Sequence, residues 1–274
     1  MKNKLFLKVM ATVTGIAVIS GGYAFAAKNI TIKGSTTLLP IAQACAEAFM
    51  NQHLDVDISV QGGGSGVGIA SIIDDTADIG DASRPAKDKE IAKGKENGVD
   101  VYENVVALDG IAVIIHPGNP VTGLNNDQIK DIYTGKISNW KEVGGNDAKI
   151  VVVSRDSSSG TYETFNKLVL DNEKVRPDAL LQASNQAVAM TISRTKGAIG
   201  YIGMGYLSDA VKGVDVNGIS PTKENVINGS YILARKLFMY TNGKPQGATA
   251  DFILFVLSDD GQKIVEKEGF IPIK

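Results

Sequence analysis

The sequence predicts an α/β protein with two lobes and mixed, mainly parallel sheets joined by a two-strand hinge. Short apolar or alternating runs, typical of strands, recur along the chain and alternate with runs of helical periodicity. Two unusually long extended runs, at 101–116 and 231–240, lie far apart in the sequence. We expect this pair to carry the chain out of one lobe and, after a second lobe is built, back again.

The predicted elements alternate along most of the chain. Strand-like runs lie at 30–33, 56–60, 77–80, 101–115, 150–153 and 198–202. Helix-like runs lie at 39–50, 68–75, 85–95, 127–133, 161–170 and 187–194. Because parallel neighbours need a crossover connection, usually a helix, this alternation favours largely parallel sheets.

The first 26 residues have the pattern of an export signal. Three lysines precede a 12-residue apolar run at 9–20, and Ala24-Phe25-Ala26 provides a cleavage pattern. That run is shorter than the roughly 20 residues that a membrane-spanning helix needs. We therefore expect cleavage after about Ala26 and a mature protein in the periplasm.

The two long extended runs also predict the domain organisation. Residues 1–26 are expected to be the signal peptide, residues 27–110 and 225–274 the first lobe, and residues 111–224 the second. The crossings are expected near 108–113 and 220–232. In such folds a ligand lies between the lobes, where the carboxyl ends of strands open into helices.

Composition narrows the classes of partner. Removing the three signal-peptide lysines changes the net charge from −2 to −5, which disfavours nucleic acid and anionic membranes as partners. The single cysteine, Cys45, excludes an internal disulfide, so the fold must rest on its apolar core. Two scattered histidines and one cysteine form no zinc-ligand cluster, so we expect no metal and no cofactor. We also expect a monomer.

Four strand-to-helix junctions are rich in hydroxyl groups or glycine. Helix N-termini present unpaired N–H groups and the positive end of the helix dipole, and both favour anions. The junctions read Gly34-Ser35-Thr36-Thr37, Gly62-Gly63-Gly64-Ser65-Gly66, Asp81-Ala82-Ser83-Arg84 and Arg155-Asp156-Ser157-Ser158-Ser159-Gly160-Thr161. Together they predict a cage around one small oxyanion.

Each junction also has an ordinary interpretation. The residues at 35–37, Ser83 and Ser159 could simply cap the helices that follow, and the glycines could form a plain turn. Arg84 and Arg155 are candidate charge partners because the planar guanidinium matches an oxyanion, but either could instead form a surface ion pair. The coincidence of four such junctions favours the anion site.

Signs of catalysis are few. His53 and His116 lie away from any nucleophile elbow, and the glycine loop fits neither a dinucleotide nor a nucleoside-triphosphate motif. The sequence therefore predicts a binding protein and not an enzyme.

At these residues the chain resembles the exported phosphate-binding proteins that serve ABC-type phosphate importers. The resemblance covers nearly the whole mature chain. It rests on the junctions above together with Gln61, Asp78-Ile79-Gly80, Asp131-Ile132-Tyr133-Thr134-Gly135-Lys136-Ile137, Trp140 and Gly197-Ala198-Ile199-Gly200-Tyr201. It implies a type II periplasmic-binding-protein fold and delivery of phosphate to the importer's membrane permease subunits.

The resemblance also implies the ligand-binding residues. By position these fall on Thr36, Thr37, Ser65, Ser83, Arg155, Ser159, Gly160 and Thr161, and our full candidate set adds Ser35, Arg84 and Asp109. Better-known members have aspartates where this chain has Ser83 and Ser157. In those members the aspartate at the Ser83 position accepts a phosphate proton and repels sulfate, so its absence would weaken the discrimination of phosphate from sulfate.

Asp81, Asp109 and Asp156 are the substitutes that the sequence offers for this proton acceptor, and it does not choose among them. Another tetrahedral oxyanion, such as sulfate, molybdate or tungstate, is therefore an alternative ligand. An exported phosphatase-like enzyme or a structural surface protein are more distant alternatives.

Overall fold

A computed structural model describes residues 28–273, so the expected signal peptide lies outside the described residues. The strands are β1 Lys28–Gly34, β2 Val56–Gly62, β3 Ile79–Ala82, β4 Val101–Ile115, β5 Gly123–Leu124, β6 Val151–Arg155, β7 Leu180–Gln182, β8 Ala198–Gly203, β9 Lys212–Gly213, β10 Asp215–Val216 and β11 Ala234–Asn242. The helices are α1 Leu39–Met50, α2 Ser65–Ile73, α3 Asp88–Glu96, α4 Asn126–Thr134, α5 Gly160–Leu168, α6 Asn185–Arg194, α7 Lys223–Ile227, α8 Gly247–Val256 and α9 Asp259–Lys267. Two 3-10 turns lie at Trp140–Val143 and Met204–Tyr206.

The strands form one continuous path in the order β2-β1-β3-β11-β4-β8-β6-β7, with β9 beside β4 and a separate β5–β10 pair. Pairing is parallel at both ends of the path, among β2, β1 and β3 and among β8, β6 and β7. In the middle, β11 runs antiparallel to β3 and β4, and β4 runs antiparallel to β8. The predicted α/β class with mixed, mainly parallel sheets is therefore confirmed.

Buried side chains form cores on either side of a crossing in β4. Within β4, residues up to Ala107 pack in cores shared with β1, β3 and β11, whereas residues from Ile111 onward pack with β6 and β8. We call the first part lobe 1 and the second lobe 2. Because β4 pairs with β11 before the crossing and with β8 after it, one strand belongs to both lobes.

The residues just before β11 pack with lobe 2. Val226, Tyr231 and Leu233 pack in the lobe 2 core, and the Tyr231 hydroxyl donates a hydrogen bond of 2.8 Å to the Ile111 carbonyl. The buried apolar residues from Leu237 to Phe270 pack in the cores of lobe 1, and Ile271 packs in the lobe 2 core. We therefore propose that lobe 2 extends to about residue 234 instead of ending at 224. The lobe boundaries themselves stay a prediction.

Sequence periodicity located the longest elements best. The predicted helix at 39–50 and strand at 101–115 match α1 and β4 residue for residue. Helix α2 begins at Ser65, three residues before the prediction, and α3 begins at Asp88, three residues after it. The prediction did not include α7, α8 or α9.

Among helices of residues 28–273, none combines the length and apolar character needed to cross a membrane.

Glycines let α2 lie unusually close to the strands of lobe 1. A Cβ atom on Gly68 would come within 2.4 Å of the Asp81 carbonyl oxygen and 2.8 Å of that of Lys33. A Cβ on Gly34, whose φ is +138°, would come within 2.2 Å of the same Asp81 oxygen. Only glycine fits at these contacts, and they set the position of the α2 N-terminus.

We expect Gly68→Ala to lower the free energy of unfolding by about 1–3 kcal/mol, because the added methyl group must displace strand backbone. Urea unfolding of the ligand-free protein measures this change. Gly66→Ala, in the same helix, is the control: its Cβ would meet nothing closer than 3.5 Å. Equal stability of the two variants would show that the close approach does not constrain the fold.

Candidate anion-binding site

The four hydroxyl-rich junctions meet between the two lobes. The Oγ1 atoms of Thr37 in lobe 1 and Thr161 in lobe 2 lie 3.0 Å apart. The Oγ atoms of Ser65 and Ser83 lie 3.3 Å apart, and a Cβ on Gly160 would come within 2.2 Å of the Ser65 oxygen. The predicted hydroxyl residues and Gly160 are all buried: Ser35, Thr36, Thr37, Ser65, Ser83, Ser159, Gly160 and Thr161.

Helix capping accounts for only one of these hydroxyl groups. The Ser159 Oγ accepts a hydrogen bond of 3.2 Å from the Tyr162 N–H and caps α5. Helices α1 and α2 begin after Leu38 and Gly64, with no side-chain cap. Ser83 does not cap α3, which begins only at Asp88. The ordinary interpretation therefore holds for Ser159 and fails for the others.

The backbone also joins the lobes beside the hydroxyl groups. The Gly66 N–H donates to the Ser158 carbonyl over 2.9 Å, and the Ser158 hydroxyl donates to the Gly63 carbonyl over the same distance. These bonds connect the glycine loop of lobe 1 to the turn before α5 in lobe 2. The described arrangement is therefore one in which the lobes are in contact around the site.

Arg155, at the end of β6, is a buried cation without a counter-ion. Its Nε donates to the Gln182 carbonyl over 2.9 Å, and its Nη2 to the Ala183 carbonyl over 3.0 Å and the Thr36 Oγ1 over 3.2 Å. The buried Nη1 has no hydrogen-bond partner, and no carboxylate of residues 28–273 forms an ion pair with this side chain. Burial lowers the pKa of Arg155, because desolvation disfavours the charged form.

Arg84, the second arginine of the predicted site, forms ion pairs with two carboxylates. Its Nη1 and Nη2 donate to both carboxylate oxygens of Glu90, over 2.8 and 2.7 Å, and its Nε lies 3.0 Å from Glu163 Oε2. Lys87 also pairs with Glu163, over 2.5 Å. Two carboxylates therefore occupy the Arg84 guanidinium, and its contact with the ligand stays a prediction. Glu163 lies on α5, so these ion pairs join lobe 1 to lobe 2.

Sequence reasoning missed a second buried arginine. Arg235, on β11, donates from Nε and Nη2 to Asp109 Oδ2 over 2.9 and 2.7 Å. It also donates to the Oγ1 atoms of Thr161 and Thr37 over 3.1 and 3.3 Å. A signal was present: Arg235 has the same strand parity as buried Leu237, so its side chain had to face inward.

Asn185, at the start of α6, was also missed. Its Nδ2 donates to the Oγ1 atoms of Thr36 and Thr37, over 3.1 Å each, and its Oδ1 accepts from the Gly203 N–H. An asparagine after a serine at the start of a helix looks like part of a cap. The sequence therefore held no distinct signal for this residue.

The three candidate proton acceptors lie in different surroundings. Asp109 is in the cluster, but its Oδ2 accepts from Arg235 and its Oδ1 from the Met204 N–H over 3.0 Å. The Oδ1 of Asp156 accepts from the Ser158 N–H and shapes that turn, and it shares the single hydroxyl hydrogen of Ser158 with the Gly63 carbonyl. Asp81 is buried with Oδ1 unpaired, and desolvation raises its pKa.

The described residues hold no group of three or more histidine, cysteine or acidic side chains able to bind a metal.

Comparison with known proteins identifies the family. The sequence model of the PBP superfamily domain matches residues 22–260. Phosphate-binding protein PstS of Bacillus subtilis is 36% identical over 289 aligned positions, covering 99% of this chain and 95% of that protein. The chain belongs to the PstS family of the PBP superfamily. PstS of Borreliella burgdorferi is 34% identical, over 90% of this chain and 91% of that protein.

Solved structures with the PstS architecture are also similar. A Clostridium perfringens protein, described as a phosphate ABC transporter substrate-binding protein with bound phosphate, is 40% identical with a TM-score of 0.84. The match covers 90% of this chain and all of that one. An ABC-type phosphate transport receptor from Vibrio cholerae is 33% identical with a TM-score of 0.73, over 88% and 99% of the two chains.

We expect Glu163→Gln to lower the free energy of unfolding by about 1.5–3 kcal/mol, because it weakens the hydrogen bonds of two cations in a largely buried cluster. Urea unfolding at low and high salt measures the loss. Glu173→Gln is the matched control, because it breaks an ion pair with Lys130 in which Glu173 is 46% exposed; there the change should stay below about 1 kcal/mol. Equal losses of unfolding free energy in the two variants would show that the interlobe ion pairs stabilise the fold no more than an exposed ion pair does.

Proposed function

We propose that this protein captures inorganic phosphate between its two lobes and delivers it to the permease subunits of an ABC-type importer. The observation that carries the proposal is Arg155: a buried cation with a free Nη1 and no carboxylate partner, set among hydroxyl groups from both lobes. A desolvated cation without a counter-ion costs free energy, and a bound oxyanion would remove that cost. The names of the relatives and the phosphate-bound Clostridium perfringens structure support the choice of anion.

The proposed ligand-binding residues divide by lobe. Lobe 1 contributes Ser35, Thr36, Thr37, Ser65 and Ser83, and lobe 2 contributes Arg155, Ser159, Gly160 and Thr161. The open N-termini of α1 and α2 add backbone N–H groups and the positive ends of two helix dipoles. A tetrahedral anion has four oxygens to share among such donors, so both lobes can hold it at once. The proposed role is binding and transfer, without chemistry.

The proposed setting is outside the cytoplasm. The signal-like pattern at 1–26 supports export, and the family names given above support a partnership with an importer. We propose that the mature protein acts in the periplasm as a monomer.

A second tetrahedral oxyanion has one observation in its favour. Both oxygens of Asp109, the candidate proton acceptor that pairs with Arg235, already accept hydrogen bonds. A site in which no carboxylate accepts from the ligand can bind sulfate as well as phosphate, because sulfate has no proton that needs an acceptor. Calorimetric titration of the ligand-free protein with phosphate, sulfate and molybdate at several pH values tests both candidates. Absence of phosphate binding would overturn the proposed function.

We expect Arg155→Ala to weaken phosphate binding by about 2–5 kcal/mol, because it removes a desolvated charged hydrogen-bond donor. Arg155→Lys should lose less, since it keeps the charge but not the planar fork. Isothermal titration calorimetry measures both affinities, and Arg194→Ala at the exposed end of α6 is the control. Unchanged affinity in Arg155→Ala would exclude this residue from the site.

We expect phosphate to reduce the radius of gyration measured by small-angle scattering. A ligand held from both sides favours the closed arrangement by its differential affinity for that arrangement. Arg155→Ala at the same phosphate concentration is the control and should scatter like the ligand-free protein. Identical wild-type curves with and without saturating phosphate would contradict a two-sided grip.

A further inference from the structure

A buried ion pair lies beside the hydroxyl cluster, where the chain crosses between the lobes. The side chains of Arg235 and Asp109 are 4% and 0% exposed, and their closest atoms are 2.7 Å apart. Asp109 lies on β4 and Arg235 on β11, in register opposite each other. Burial raises the pKa of Asp109, and the charge of Arg235 opposes this rise. Burial also lowers the pKa of Arg235.

This ion pair leaves one side of the guanidinium facing the proposed ligand-binding residues. Nη1 donates to Thr161 and Nη2 to Thr37, so one arginine contacts a hydroxyl of each lobe. It is the only one of the described side chains that hydrogen-bonds to both of these threonines and to a carboxylate. If the lobes separated, it could keep only one of the two hydroxyl contacts.

These contacts determine which way the hydroxyl groups point. A guanidinium has five N–H donors and no acceptor, so Thr37 and Thr161 must accept from it with their oxygen lone pairs. Asn185 donates to Thr37 as well. The hydroxyl hydrogens must then point elsewhere. One of the two hydroxyl hydrogens can form the hydrogen bond between the threonines, and the other is left to be donated to an anion.

We propose that Arg235 is a positioning residue of the anion site: it orients Thr37 and Thr161 so that one of their hydroxyl hydrogens is left to be donated to the anion. The proposal rests on the proposed function, because it concerns the same site. In this arrangement Asp109 holds the arginine and does not accept a proton from the ligand. Selectivity for phosphate over sulfate then does not depend on Asp109.

Calorimetry with inorganic phosphate and inorganic sulfate tests the proposal. Arg235→Gln should weaken phosphate binding at least about thirtyfold, and Arg235→Lys should recover part of the loss. Arg235→Gln leaves the buried Asp109 unpaired. The double variant Arg235→Gln/Asp109→Asn buries no charge at this position and should show the same loss of phosphate affinity. Its unfolding temperature shows whether it is folded. Arg176→Gln/Asp178→Asn, which removes a more exposed arginine–aspartate pair within lobe 2, is the control.

Two further measurements separate positioning from a structural role. If Arg235 acts through Thr161, the losses from Arg235→Gln and Thr161→Val should be clearly less than additive in a double-mutant cycle. Asp109→Asn should change the affinities for phosphate and sulfate by the same factor, within about threefold. A selective loss of phosphate binding would instead make Asp109 the proton acceptor and overturn this assignment.

The outcome also distinguishes the two proposals. If the wild-type protein fails to bind phosphate, the proposed function and this inference fall together. If it binds phosphate but both folded Arg235→Gln variants bind it within about threefold of the wild type, only the role of Arg235 is overturned. Additive losses in the Thr161 cycle would likewise overturn the positioning role alone.

Discussion

The arrangement of the site depends on the free energy of a buried positive charge. Arg155 is 2% exposed and has no carboxylate partner among the described residues. A charge in such a position is tolerated only if polar groups solvate it, and here two carbonyl groups and one hydroxyl do so in part. The remaining donor, Nη1, makes the site favourable for an anion. An ordinary structural arginine would carry a counter-ion, as Arg84 does with Glu90.

The two lobes supply different parts of this environment. Lobe 1 supplies uncapped helix N-termini, whose positions depend on close glycine contacts such as that of Gly68 with the β3 backbone. Lobe 2 supplies the guanidinium of Arg155 and the first turn of α5. The long strands β4 and β11 connect the lobes, and they place Asp109 and Arg235 beside the hydroxyl cluster.

Two arginines in similar sequence patterns have different partners in the structure. Arg84 and Arg155 each follow or precede a hydroxyl-rich segment after a strand, so the sequence treats them alike. Arg84 is held by Glu90, six residues along the chain, and by Glu163 from the other lobe. The contact with Glu163 in the other lobe has no local signature. It makes Arg84 part of an interlobe ion cluster.

The α/β class, the extents of α1 and β4, and the four junctions can be predicted from the sequence, because these depend on local periodicity and on residues with strong backbone preferences. The sequence also indicates Arg155, through its position between a strand and a serine-rich turn. Only the tertiary contacts show that residues 35–37 and Ser83 do not cap α1 and α3, that Arg84 is paired, and that Arg235 and Asn185 lie in the hydroxyl cluster. The physical reason is that burial and pairing of a charge depend on residues more than 100 positions away, such as Asp109 and Arg235.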